Sequence, residues 1–153
     1  MSDSATAALK VKKALYAAAQ SLYDADKVLV GFGLSTARRD LTEMVTFLEV
    51  RVRQQEATLS SKNSRDEYID QVVVFSVARA GDDDDLAVSE AAYELLRTFE
   101  YYVRHTDPQL GGLAISCALT EHESYGYTNA ANLAEGRLCE IEATFTARVR
   151  ITG

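Results

Sequence analysis

Two histidines, two cysteines and one proline are all that 153 residues hold of the types that often mark catalysis, cross-links and chain breaks. His105 sits where a helix is expected to end, and a cation there is favoured by the helix dipole. His122 lies in Thr120–Glu121–His122–Glu123, on the polar face of an expected strand. Neighbouring strand residues point to opposite faces, which argues against a metal held by His122 and both glutamates. Hydrolytic zinc also asks for about three protein ligands. No serine nucleophile elbow, phosphate loop or Glu/His metal motif occurs. The chain is therefore expected to have no catalytic centre, no cofactor and no metal. Cys117 and Cys139 each fill an apolar slot of an alternating run and have no CxxC partner, so they read as buried free thiols. A disulfide or a reactive thiol is the alternative.

Long apolar runs and basic excess are missing too. No stretch approaches the roughly 20 apolar residues that span a bilayer, so no membrane partner is expected. Sixteen Lys and Arg stand against 23 Asp and Glu, giving a net charge of −7. Scattered, outnumbered cations do not make a phosphate-binding or anionic-lipid surface, which needs clustered Lys and Arg. Met1 to Thr6 is small and polar, without the charged and apolar regions of a signal peptide. The expected site of synthesis is the inside of a cell.

What is present fits one domain, since domains cluster at about 100–150 residues. A hydrophobic share of 47% and a charged share of 25% exclude a disordered chain. Ala8, Val11, Leu15, Ala18 and Leu22 share one face of an N-terminal helix, with Ser4 or Asp3 as its cap. Val28 to Phe32 reads as a short or edge strand. Its Gly31–Phe32–Gly33 lacks the third glycine of a dinucleotide fingerprint. Val45 to Gln55 alternates but changes parity, with Val45 and Phe47 against Leu48, Val50 and Val52, which predicts a bulge or a doubly covered start. Tyr68 to Arg79, with Val72, Val73, Val74 and Phe75, reads as an inner strand buried on both faces.

Between these strands, Ser60, Ser61, Lys62, Asn63, Ser64 and Arg65 are expected to form an exposed, mobile hairpin tip. Asp82 to Asp85 reads as the acidic cap of a second helix, Leu86 to His105, because the spacing of a calcium loop is absent. That helix carries the stripe Val88, Ala92, Leu95, Phe99 and Tyr102 and ends at Asp107–Pro108 and Gly111–Gly112. A second hairpin follows, with apolar odd positions from Leu113 to Leu119 and from Cys139 to Ile151. The length of the last strand predicts that it passes beyond its own sheet. The connection Glu123 to Gly136 carries Tyr125, Tyr127, Asn129 and Asn132, a common interface composition. The fold class is α+β, a mostly antiparallel sheet of two long hairpins with an N-terminal and a central helix packed on it.

Helix, short strand, long hairpin, acidic-capped helix, long hairpin: this order resembles the tail terminator proteins of long-tailed, siphophage-type bacteriophages. It is carried by Leu9 to Leu22, by Gln71 to Arg79 followed by Asp82 to Tyr102, and by Cys139 to Ile151, and it covers Ala5 to Thr152. The resemblance implies a virion protein, a homo-oligomeric (hexameric) ring that caps the tail tube, stops its growth and meets the head connector or completion proteins. It implies that genomic DNA passes through the ring without sequence-specific binding, at the head-tail junction. An acidic wall would not hold phosphates. The interface candidates are Ser60 to Arg65, Tyr125, Tyr127, Asn129, Asn132, Arg148 and Arg150. Another neck protein of related fold, a small α+β enzyme or ligand-binding domain, and an adaptor that dimerises by strand addition remain the alternatives.

Overall fold

Helix α1 spans Ala8–Leu22 in the computed structural model, which describes residues 5–33, 42–55, 64–79, 85–126 and 137–152. Its buried stripe is Val11, Leu15 and Ala19, with Ala8, Ala14, Ala18 and Leu22 packed beside it. The small residues let the helix sit close on the sheet. The expected caps Asp3 and Ser4 lie outside the described residues. In the structure the Glu67 carboxylate, from a distant strand, accepts the Ala7 N–H at 2.8 Å and the Thr6 hydroxyl at 3.0 Å. At the other end Tyr23 donates its hydroxyl to the Leu95 carbonyl at 2.5 Å and ties α1 to the second helix.

Five strands form one sheet in the order β1-β2-β3-β5-β4. They are β1 (Val28–Phe32), β2 (Glu43–Gln54), β3 (Ser64–Arg79), β4 (Ser116–Gly126) and β5 (Arg137–Thr152). β1 runs parallel to β2, and every other pairing is antiparallel. With α1 and α2 (Asp85–Tyr101) this is an α+β fold built on two long hairpins. Both helices cover the same face, since Tyr16 of α1 and Phe99 of α2 each meet Phe47 edge-on. Phe99 is the hub: its ring also packs at 5.0 Å on Phe145 and 6.2 Å on Phe75.

The parity change in β2 is a bulge. Phe47 pairs with Val73 and Val50 with Gln71, so two residues of β2 face one of β3. Val45, Phe47, Val50 and Val52 thereby return to the helix side. Buried Gln71 holds the bulge by donating to the Leu48, Glu49 and Val72 carbonyls, and Lys12 of α1 donates to Leu48 at 2.8 Å. β4 bulges as well, where Leu119 pairs with Phe145 and Glu121 with Thr144.

Several expectations are corrected. β5 does not pass beyond its sheet, because β3 is equally long and pairs with it from Ser64↔Thr152 to Arg79↔Arg137. β3 is inner by position, but only its odd positions are consistently buried. Val72 and Val74 are half-buried on a face that carries no described helix. Ser64 and Arg65 begin β3 rather than forming a tip, and Tyr125 lies in β4 rather than in a loop. Leu113 precedes β4, which starts only at Ser116. Helix α2 buries Val88, Ala92, Leu95 and Phe99 as spaced, but the chain then widens into a π-helical turn over Tyr102–Thr106. That turn makes Val103 the buried residue rather than Tyr102. Leu110, Gly111 and Gly112 then take positive φ, a left-handed reversal that the two glycines adopt without a Cβ penalty. Asp82 to Asp84 lie outside the described residues.

Candidate functional site

Even positions of β3 and β5 share the sheet face away from the helices, and their side chains form a cross-strand lattice. Asp66 stands opposite Arg150 and diagonal to Arg148. Arg148 reaches its carboxylate at 2.9 and 2.5 Å and Arg150 at 2.8 Å. Asp66 is only 4% exposed beneath them. One step along, Arg53 of β2 forks onto Asp70 at 3.2 and 3.1 Å. Thr146 donates to Asp70 at 2.7 Å, and Thr120 meets Thr146 at 2.9 Å. Tyr68 lies between the guanidinium groups of Arg53 and Arg148, at 5.6 and 5.9 Å. The chain of contacts thus crosses four strands.

The other half of this face is acidic. Glu123 stands directly across from Glu142, and Tyr125 across from Glu140. Burial, and then Glu142, push the Glu140 carboxyl above its usual range. Tyr125 donates its hydroxyl to Glu123. A groove of about 260 Å³ is lined by Val72 and Thr144, with Glu49, Arg51, Asp70, Glu121 and Glu142 around them. It lies level with both bulges, because Val72 and Thr144 are the residues that the bulged segments face.

Of the interface candidates, Arg148 and Arg150 are brought together on Asp66, and Arg65 donates to the Ala5 carbonyl at 2.6 Å. Tyr125 is on the same face at the acidic end. Ser60, Ser61, Lys62, Asn63, Tyr127, Asn129 and Asn132 lie outside the described residues. Sequence reasoning missed Asp66, Asp70 and Glu67. The signal for the first two was there: acidic even positions of β3 meet basic even positions of β5 once the strands are paired antiparallel.

His122 is corrected in place. The β4 bulge at Thr120 puts it on the helix side, where its ring packs 5.8 Å from Tyr93, while Glu121 and Glu123 face the other way. Among the described residues no cluster of three His, Cys, Asp or Glu could hold a metal ion. No helix of the described residues is long and apolar enough to cross a membrane.

The ion pairs of Asp66 hold its carboxyl down at about 2, the hydrogen bonds from Arg150 and Arg148 being the main cause. A depressed carboxyl adds stability above its unfolded value and loses it as pH falls through the folded one. The stability gap between wild type and Asp66→Asn should therefore be full at neutral pH and shrink between about pH 4 and 2. Urea titrations across that range check it; a gap independent of pH would remove the ion pairs as its source. Cys117 and Cys139 are both free and buried. Burial pushes the Cys117 thiol up to about 12, so Ellman's reagent at about pH 8 should label it only in denaturant.

No family model matches the chain, and no curated protein matches it either. Among solved structures the chain is similar to one from a virion of a native gene transfer agent (GTA) particle. The identity is 15%, 94% of this chain and 92% of that chain are covered, and the TM-score is 0.49.

Proposed function

We propose that this chain is a virion structural protein of a long-tailed phage or phage-like particle, and within that class a tail terminator. In this reading it is not an enzyme. Copies close as a ring, with six the expected number, on the last ring of tail-tube subunits, end tube growth and present a surface to the head connector or completion proteins. The observation that carries the reading is the sheet itself. The element order that resembles the terminators folds from Ala8 to Thr152 into one sheet, clad by helices on one face and charged on the other. A stiff, ion-paired sheet face suits a subunit wedged between neighbours. The net charge of −7 suits a passage through which DNA slides without being held.

Removing the gene from the phage or particle genome that encodes it tests the reading. Tails of uncontrolled length, unattached to heads, are the expected result in electron micrographs. Normal particles in the absence of the gene would end it. Another neck protein of related fold would instead leave tail length unchanged and abolish only head joining.

A further inference from the structure

Among the described residues the sheet has an unpaired margin on each side, and the two margins differ in charge. β1 pairs with β2 only from Glu43 to Phe47, so beyond the bulge β2 has no described neighbour on that side. Gln55 donates its N–H to the Asp66 carbonyl at 2.9 Å, and hydrogen-bonded pairs alternate along an antiparallel ladder. Arg53 and Arg51 therefore bond to β3, while the N–H and C=O groups of Val50, Val52 and Gln54 point outward. At the far margin β4 pairs with β5 alone among the described strands. The side chains of Arg51 and Arg53 are 75% and 60% exposed, and they lie on the same sheet face as exposed Glu121 and Glu123. Among the described residues no cation pairs with Glu121, Glu123, Glu140 or Glu142. Like charges directly across a ladder, as Glu123 and Glu142 are, destabilise it. A cation from outside would relieve them.

Strand direction fixes how two copies could meet. β2 runs antiparallel to β3, β3 to β5 and β5 to β4, so β4 runs opposite to β2. A second copy placed beside the first without being turned over thus offers its β2 antiparallel to β4.

We infer that copies of this chain join head to tail by strand addition, Val50–Gln54 of one copy pairing with Thr120–Ser124 of the next. Arg51 then faces Glu123 of the second copy, and Arg53 faces Glu121. This rests on the ring reading, to which it assigns the contact: such a joint is heterologous and closes into a ring when the rotation per copy fits. Docked tube subunits need no part in it.

Chains carrying Val52→Cys and chains carrying His122→Cys, mixed and oxidised, should cross-link to each other, because paired residues sit about 5.5 Å apart between Cα atoms. Val52→Pro should leave the monomer folded, since the lost N–H points outward, and should abolish association in sedimentation velocity. Arg51→Glu or Glu123→Arg alone should weaken association at least tenfold, and the two together should restore it. Association by Val52→Pro equal to wild type, or oligomers that never form the mixed cross-link, would overturn the pairing and leave the ring reading standing. Wild type that remains monomeric in isolation also overturns the pairing as a self-sufficient joint. The gene-removal experiment judges the ring reading separately.

Discussion

Phe99→Ala should lose about 3–5 kcal/mol of folding stability, the range for emptying a fully buried aromatic site. Phe99 has no solvent exposure, and its ring makes edge-on contacts at 5.9 Å with Phe47 and 5.0 Å with Phe145. The substitution removes the wedge that joins α2 to β2, β3 and β5 at once. None of these strands can shift to fill the space without breaking its own ladder. Such a loss is a large part of the 5–15 kcal/mol that holds a typical domain together. Thermal and urea unfolding of the variant measure it. Phe99→Leu, which keeps most of the volume, should lose less than half as much, and an equal loss in the two variants would deny Phe99 its place as hub.

Glu67→Ala should cost about 2–3 kcal/mol, because the buried Ala7 N–H and the part-buried Thr6 hydroxyl lose their acceptor together. The Glu67 side chain is fully buried, and its second oxygen accepts from Gln54 at 3.1 Å. It therefore fastens the start of α1 to two strands. Glu67→Gln keeps one acceptor oxygen and should fall between wild type and Glu67→Ala. Amide exchange reads the local part: protection of the first turn of α1 should drop in Glu67→Ala before protection of β3 does. Protection unchanged in that turn would show that the helix start is held by something else.

Periodicity made some of this structure legible and left the rest hidden. The stripes of α1 and α2 and the alternation of β5 depend on residues a few positions apart, so the chain displays them directly. The bulge in β2 was readable for the same reason, because Val45 and Phe47 fall out of step with Val50 and Val52. What could not be read depends on register across dozens of residues. Glu67 looks like one more acidic residue near a turn until β3 is laid beneath α1, 60 positions away. Arg148 and Arg150 look like free surface charges until Asp66 is set against them. The valines at 72 and 74 suggested cover on both faces. A central strand is shielded sideways by its neighbours, so apolar residues are tolerated there without a helix above. The length of β5 misled in a similar way: a strand is overlong only relative to its partner, and β3 matches it.

The sheet order has a consequence for the living cell's timetable of synthesis. β5 fills the place between β3 and β4, yet it follows both in the chain. While a ribosome is still making it, β3 has been released with β2 on one side and a bare 16-residue edge on the other. β4 at that stage has no partner among the described strands. Long bare edges invite pairing with other chains, and contacts between distant parts of a sequence form slowly. The nascent chain is thus most exposed to aggregation between the release of β3 and the arrival of β5, and its centre closes only when the strand from Arg137 to Thr152 is in place.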